Sequence, residues 1–383
     1  KTGELMGCPE KMTNPYSKLV TQWESSGSVK GDFLLHYACQ AFELLKSGGA
    51  VKFSPDKPRH EFANEEETTL SFLSGGTTSG PEVVKHTSAT MRAAVNGLTE
   101  RIGGGSVNSV CCLPLWHVGG WMQLERAWAT GGKILFCDYR DLTKRNLEGK
   151  MDDHWISLVP SQLQVLLQSN LGVSNLKKAK GIFVGGAGMN VQQVEACRDQ
   201  KLNIFACYGS SETAGMVTLL DSDLFLQGRV GVGTPLPHAE IRINEENGRL
   251  EIKSTSMCIS RGEKKFVRGS WLLTPDIGHL DHSGNFSIKG RTDRIINTGG
   301  EKVHPFLIEQ ILYATGMVEQ CMVYGEPDEK WGQRVVACVC PESIDLNRLR
   351  DLVADKLVGP MKPKSWETME KLPFSEMGKL PSR

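Results

Sequence analysis

From residue 69 onward, short apolar runs rich in β-branched residues alternate with helix-length segments. The runs fall at 69–73, 109–113, 133–137, 155–159, 181–184 and 203–207. Between them, 90–101, 161–168 and 191–201 carry apolar residues at helical spacing. This alternation predicts a layered α/β domain with a largely parallel sheet. Ahead of it, 33–45 reads as a helix, while Pro55-Asp56-Lys57-Pro58 and Glu65-Glu66-Glu67 read as loop. After about residue 225 the pattern changes to short strands at 239–243, 249–252, 270–273 and 285–288, several separated by Gly- or Asn-containing turns. The last part mixes a helix at 305–313, extended runs at 319–324 and 334–340, and a helix at 346–356. The expected architecture is α/β: a large N-terminal domain, 1–290, of layered sheets with a β-rich subdomain, then a small mobile α+β domain, 291–383.

Composition narrows the class. Hydrophobic residues are 39% and charged residues 23%, ordinary for a globular protein, and the length allows more than one core. Lys+Arg and Asp+Glu both total 44 with no long basic block, which disfavours nucleic acid as a partner. The 11 cysteines include no CxxC pair, so they read as small buried hydrophobes of a reducing compartment. No apolar run reaches membrane-spanning length and no signal peptide is legible. A cytoplasmic location is expected, or the plastid stroma if a transit segment has been removed, since the sequence opens at Lys1. Homo-oligomerisation is left open.

The sharpest local signal is Ser74, Gly75, Gly76, Thr77, Thr78, Ser79, Gly80 and Pro81, after a predicted strand and before a helix. Glycines allow close backbone approach, and successive N–H groups with hydroxyls can cradle phosphate oxygens. No Gly-Lys-Ser/Thr closes it, so it is not a Walker A loop. Read alone, such a segment is usually just a flexible loop.

Further segments follow in order: Gly185-Gly186-Ala187-Gly188, Tyr208-Gly209-Ser210-Ser211-Glu212-Thr213, Thr274-Pro275-Asp276-Ile277-Gly278, Gly290-Arg291-Thr292-Asp293-Arg294, Gly299-Gly300-Glu301-Lys302-Val303-His304-Pro305 and Gly378-Lys379. Together they resemble the acyl-adenylate-forming superfamily of acyl-CoA synthetases, adenylation domains and luciferases, over roughly residues 69–383. The resemblance implies an enzyme that uses ATP, Mg2+ and coenzyme A on a small carboxylic acid. The acid's carboxylate attacks the α-phosphorus and releases pyrophosphate; the C-terminal domain then turns, and a thiol displaces AMP.

Site roles are implied by the same match. Residues Gly75 to Gly80 would wrap the β- and γ-phosphates, Tyr208 would stack on adenine beside Gly185, Gly186, Ala187 and Gly209, and Asp276 would accept from the ribose hydroxyls. Thr213 would bond the α-phosphate, Glu212 would bind magnesium, and Arg291 would sit near ribose and phosphate. Asp293 matches the hinge and Lys379 the catalytic lysine. Without the resemblance, Tyr208 is better read as core and Lys379 as solvated surface, while Glu212 reads as solvated surface and Asp293 and residues 185–188 as turns. One departure stands out: Glu82 occupies the position where the family pattern Gly-x-Pro-Lys has lysine. It raises the question of whether Lys85 compensates.

The stretch Leu113-Pro114-Leu115-Trp116-His117-Val118-Gly119-Gly120 through Lys133, with 156–164 and the variant loop, looks like the 2-succinylbenzoate–CoA ligases of menaquinone and phylloquinone biosynthesis. Such an acid carries a second carboxylate that needs a partner once desolvated. His117, Gln123 and Arg126 are candidates, with His117 equally a packed gate residue; Trp116 and Trp121 face the ring or belong to the core. Three rivals remain: a CoA ligase for another aromatic or aliphatic acid, a nucleotide-binding member without catalysis (favoured by Glu82 and a segment ahead of the loop that is short for the family), and an adenylation domain serving a carrier protein in trans.

Overall fold

The computed structural model describes residues 23–25, 29–46, 50–61, 68–74, 82–147 and 149–373. Among them the strands form four sheets. The central one runs Trp23–Ser25, Ile134–Phe136, Asn108–Cys111, His154–Leu158, Gly181–Val184, Ile204–Ser210, Gly215–Leu220, Thr234–Pro235. Its first six strands are parallel and its last two antiparallel. Helices cover both faces, which explains why these strands read as continuous apolar runs. Successive side chains go to opposite cores: Ile134 and Phe136 pack with Phe42 and Trp121, while Leu135 packs with Ile156 and Ile182.

The strand expected at 69–73 forms, as Thr69–Ser74, but not in the parallel sheet. It belongs to a second, mixed sheet ordered Lys264–Lys265, Ser260–Arg261, Glu82–Thr87, Thr69–Ser74, Ala50–Lys52, Arg59–Glu61. Its partner Glu82–Thr87 is antiparallel, with Ser74 opposite Glu82. The segment after the phosphate loop is therefore a strand before it is a helix. Val83 and Val84 favour extension, and Thr87 starts Ser88–Arg101 with a capping box to Thr90. Stacking of Phe53 on Phe72 and contact of Phe53 with Trp121, both at 4.5 Å, fasten this sheet to the central core.

The β-rich subdomain is an antiparallel sheet of Ala239–Ile243, Arg249–Ser254, Leu272–Leu280 and Phe286–Arg291. Beyond it, Ile296, Ile308, Val323, Val335 and Leu349 centre a separate core. This unit contains a third mixed arrangement in which Ser365–Thr368 runs parallel to Gly332–Cys340. Helix Pro305–Tyr313 docks it on the central domain: Gln192 donates to the Tyr313 carbonyl at 2.8 Å, and Phe306 lies beside Gly188 and Gly290. Cysteines 111, 112, 137, 197, 258, 321, 338 and 340 are buried and free. Burial pushes the Cys111 thiol up to about 12, so it is an inert packing group. No helix among the described residues is long and apolar enough to cross a membrane.

Candidate active site

Parallel strands leave their carboxyl ends open to ligands, because the chain turns away there into helices. Gly181–Val184 and Ile204–Ser210 are adjacent, and both deliver candidate segments at that end. Gly185 follows the first. A Cβ on it would lie 2.6 Å from Cys207 Sγ, so the close approach of the two strands requires glycine. Gly186 has φ +81°, and the turn needs its left-handed freedom.

The second strand carries Tyr208, whose hydroxyl donates to Asp276 Oδ2 at 2.8 Å. Arg291 donates from Nη1 to the other oxygen of Asp276 at 3.1 Å and from Nε to Asp293 at 2.9 Å. Asp276 and Arg291 face each other across antiparallel strands. Three widely separated segments thus close into one chain of hydrogen bonds, Tyr208–Asp276–Arg291–Asp293. Burial raises the Asp276 carboxyl above its ordinary value and Arg291 opposes that shift. Burial likewise pushes the Tyr208 hydroxyl up, keeping it a neutral donor.

Three residues beyond Tyr208, Ser211–Thr213 forms a single 3-10 turn. Glu212 lies largely buried, with Oε1 accepting from Arg261 Nη1 at 2.8 Å. The Glu212 carbonyl accepts from Cys258 N at 2.7 Å, and that of Thr213 from Ser256 Oγ at 2.7 Å. Thr213 is fully buried. Its hydroxyl donates to Gly215 O at 2.7 Å and accepts from Ser210 N at 3.0 Å, so here it holds the turn. A contact to phosphate requires that side chain to leave these bonds. Ala214 closes the turn at φ 53°, a strained conformation for a residue with a Cβ. Among the described residues no three His, Cys, Asp or Glu side chains converge to hold a metal alone. Magnesium retains water and phosphate oxygens and takes one or two carboxylates, and Glu212 is the carboxylate of this turn that fits it.

Two contributors were not legible in the sequence. Arg261 comes from a two-residue strand with no motif. His86 is fully buried beneath the turn, its Nε2 2.7 Å from the Ser211 carbonyl and its Nδ1 3.0 Å from Thr90 Oγ1. A carbonyl only accepts, so Nε2 carries the proton. Burial lowers His86 from its ordinary 6.5 to about 4. The unfolded chain therefore binds a proton that the folded chain refuses between those values, and stability falls as pH drops from about 6.5 toward 4. A thermal melting series over this window should decline, and His86→Gln, which can still donate to Ser211, should lessen the decline, the remainder coming from His238, which burial likewise lowers to about 4. An unchanged slope would remove His86 from the account.

His117 is the N-terminal cap residue of helix Val118–Thr130. Trp116 and Trp121 are core: Trp116 packs on Phe33 and Tyr37, and Trp121 donates to Glu125 at 2.9 Å. On the same helix Arg126 is 3% exposed, bonded from Nε to Met122 O at 2.9 Å and from Nη2 to Ser157 Oγ at 3.3 Å, over the Phe183 ring. Burial lowers it to about 10, and it has no carboxylate partner among the described residues. Neighbouring Gln123 is 1% exposed with neither amide atom bonded. Gly75, Gly76, Thr77, Thr78, Ser79, Gly80 and Lys379 lie outside the described residues; Ser74 ends its strand, buried.

Family models for the AMP-binding enzyme and for the AMP-binding enzyme C-terminal domain match residues 13–260 and 307–379. The 2-succinylbenzoate–CoA ligase of Listeria monocytogenes is 30% identical over 321 residues, 80% of this chain and 67% of its own length. That of Escherichia coli is 30% identical over 305 residues, 78% and 64% respectively. The o-succinylbenzoate CoA synthetase of Bacillus subtilis, solved with its acyl-adenylate intermediate OSB-AMP, shares the fold with a TM-score of 0.71 at 23% identity, over 82% of this chain and 68% of that one. With the first model alone spanning more than half of its residues, the chain belongs to the AMP-binding enzyme family.

Proposed function

We propose that this chain is an ATP-dependent acid–thiol ligase that converts 2-succinylbenzoate to its acyl-adenylate and then to 2-succinylbenzoyl-CoA. The observation that carries the reading is the hydrogen-bonded chain Tyr208–Asp276–Arg291 at the carboxyl ends of parallel strands, with Glu212 in the turn that follows Tyr208. The identity of the acid is supported by relatives named 2-succinylbenzoate–CoA ligase.

In this mechanism Asp276 accepts from the ribose hydroxyls while Arg291 keeps it ionised and oriented. Tyr208 offers its ring to the adenine at the wall made by Gly185, Gly186 and Ala187. Magnesium, when bound by Glu212, neutralises polyphosphate charge. The acid's carboxylate attacks the α-phosphorus with Lys379 offsetting the developing charge, and pyrophosphate leaves. The domain from residue 291 then turns about Asp293, so that the thiol of coenzyme A attacks the acyl carbon and AMP leaves. Positioning and preset charge supply the rate acceleration.

Arg126 and Gln123 support a dianionic acid. A buried guanidinium without a carboxylate, next to an unpartnered amide, is costly unless an anion completes it. Arg126→Leu should raise KM for 2-succinylbenzoate on the order of 30-fold and leave KM for ATP unchanged. Equal rises in both would reassign Arg126 to folding.

ATP–pyrophosphate exchange across a panel of acids, with mass spectrometry of products formed with coenzyme A, tests the whole reading. Exchange with another acid but not 2-succinylbenzoate would correct the substrate. Bound nucleotide without exchange for any acid would favour a non-catalytic member, the reading that Glu82 favours.

A further inference from the structure

Glu82 stands where a cation is expected, and its carboxylate is already engaged. Arg261 Nε donates to Glu82 Oε2 at 2.6 Å while its Nη1 donates to Glu212 Oε1 at 2.8 Å. The contact is built into the backbone. Arg261 lies opposite Val84 in the antiparallel pair with Glu82–Thr87, Gly262 N donates to Val83 O at 2.8 Å, and Ile259 N donates to Lys85 O at 2.8 Å. Gly262 sits at φ +55°, and a Cβ there would be 3.1 Å from Glu82 Oε1, so the glycine leaves room for the carboxylate. A guanidinium has five N–H groups. Two are used here, and the side chain is 37% exposed.

We propose that Arg261, oriented by Glu82, is a polyphosphate-binding residue that supplies from a neighbouring strand the positive charge that position 82 lacks. The inference rests on the ATP-dependent reading above. Two carboxylates on one guanidinium leave the triad with net charge −1, which alone would repel a polyphosphate. Were Glu212 to hold magnesium, Arg261 Nη1 would be free to turn to phosphate oxygens together with the unused N–H groups of the fork, while Nε stayed on Glu82. Glu82 is thus an anchor, and Arg261 exchanges one anionic partner for another. Lysine at 82 would not only add a charge; it would face Arg261 and displace it.

Calorimetric titration separates this from a purely structural ion pair, because AMP lacks the β- and γ-phosphates. Arg261→Gln should weaken Mg·ATP binding about tenfold and change AMP binding less than twofold. Arg261→Lys, which keeps the charge but not the fork, should recover part of the loss. Glu82→Gln should weaken Mg·ATP about threefold, with no further loss when combined with Arg261→Gln, since both act through one guanidinium. Glu82→Lys should weaken Mg·ATP rather than strengthen it. Equal losses for ATP and AMP, additive losses in the double variant, or tighter Mg·ATP binding with Glu82→Lys would each overturn the proposal. If the unaltered protein bound neither nucleotide, the ligase reading would fall and this inference with it; binding of both with Arg261→Gln indifferent to ATP would sink this inference alone.

Discussion

Replacing Lys379 with alanine is expected to slow ATP–pyrophosphate exchange on the order of 10²–10³-fold while leaving thioester formation from supplied acyl-AMP within a few-fold. The asymmetry comes from where charge develops. In the first step an anionic carboxylate approaches an anionic phosphate, and negative charge accumulates on the oxygens around phosphorus. An ammonium placed there stabilises the transition state more than the separated reactants, and only such differential interactions accelerate chemistry. In the second step a thiol attacks a neutral acyl carbon and AMP carries its charge away, so the lysine has less to offset. The match to the C-terminal domain model runs to residue 379 itself. Rapid-quench measurement of both half-reactions reads the two effects separately. A similar loss in both would assign Lys379 to folding or domain docking instead.

The parallel core was readable because burial on both faces leaves a simple trace. The runs expected at 155–159, 181–184 and 203–207 are observed as His154–Leu158, Gly181–Val184 and Ile204–Ser210. Helix Pro305–Tyr313 was equally plain, with proline at its first turn and an apolar stripe. Helix Val118–Thr130 was not anticipated, because it is buried on nearly every side and so lacks the polar stripe that marks a surface helix. Sheet membership was also hidden. Nothing in the Thr69–Ser74 pattern distinguishes a strand of the parallel sheet from one paired with Glu82–Thr87, since both are buried. The same limit applies to the site. Tyr208, Asp276 and Arg291 stood in short motifs, but Arg261 is one of 44 basic residues and meets Glu82 from 179 positions away. A single side chain gains its meaning from its partner, and a partner that distant leaves no local periodicity. His86 was missed for a related reason: it occupies one step of an alternating strand, and only the fold brings the Ser211 carbonyl to it.

Asp276→Ala should weaken ATP and AMP binding alike, by about 100-fold or some 3 kcal/mol. Asp276 is 9% exposed, and its carboxylate already orders two donors, the Tyr208 hydroxyl and the Arg291 guanidinium. Its removal costs the proposed ribose bonds and also leaves the buried Tyr208 hydroxyl without its acceptor, the more expensive half of such a change, while Arg291 keeps Asp293. Because AMP and ATP share the ribose, the loss should not discriminate between them, unlike that expected for Arg261. A nucleotide cycle isolates the ribose term. With the unaltered protein, 2′-deoxy-ATP should bind about tenfold more weakly than ATP, and with Asp276→Ala the two should bind equally. The pH dependence has a definite sign as well. Burial raises the Asp276 carboxyl, so acidification protonates it sooner than an exposed aspartate. The protonated form surrenders an acceptor, so nucleotide affinity should fall as pH drops through that raised value, and Asp276→Asn should remove the dependence. Unchanged affinity in Asp276→Ala, or a deoxy penalty that survives it, would move the ribose contact to another residue.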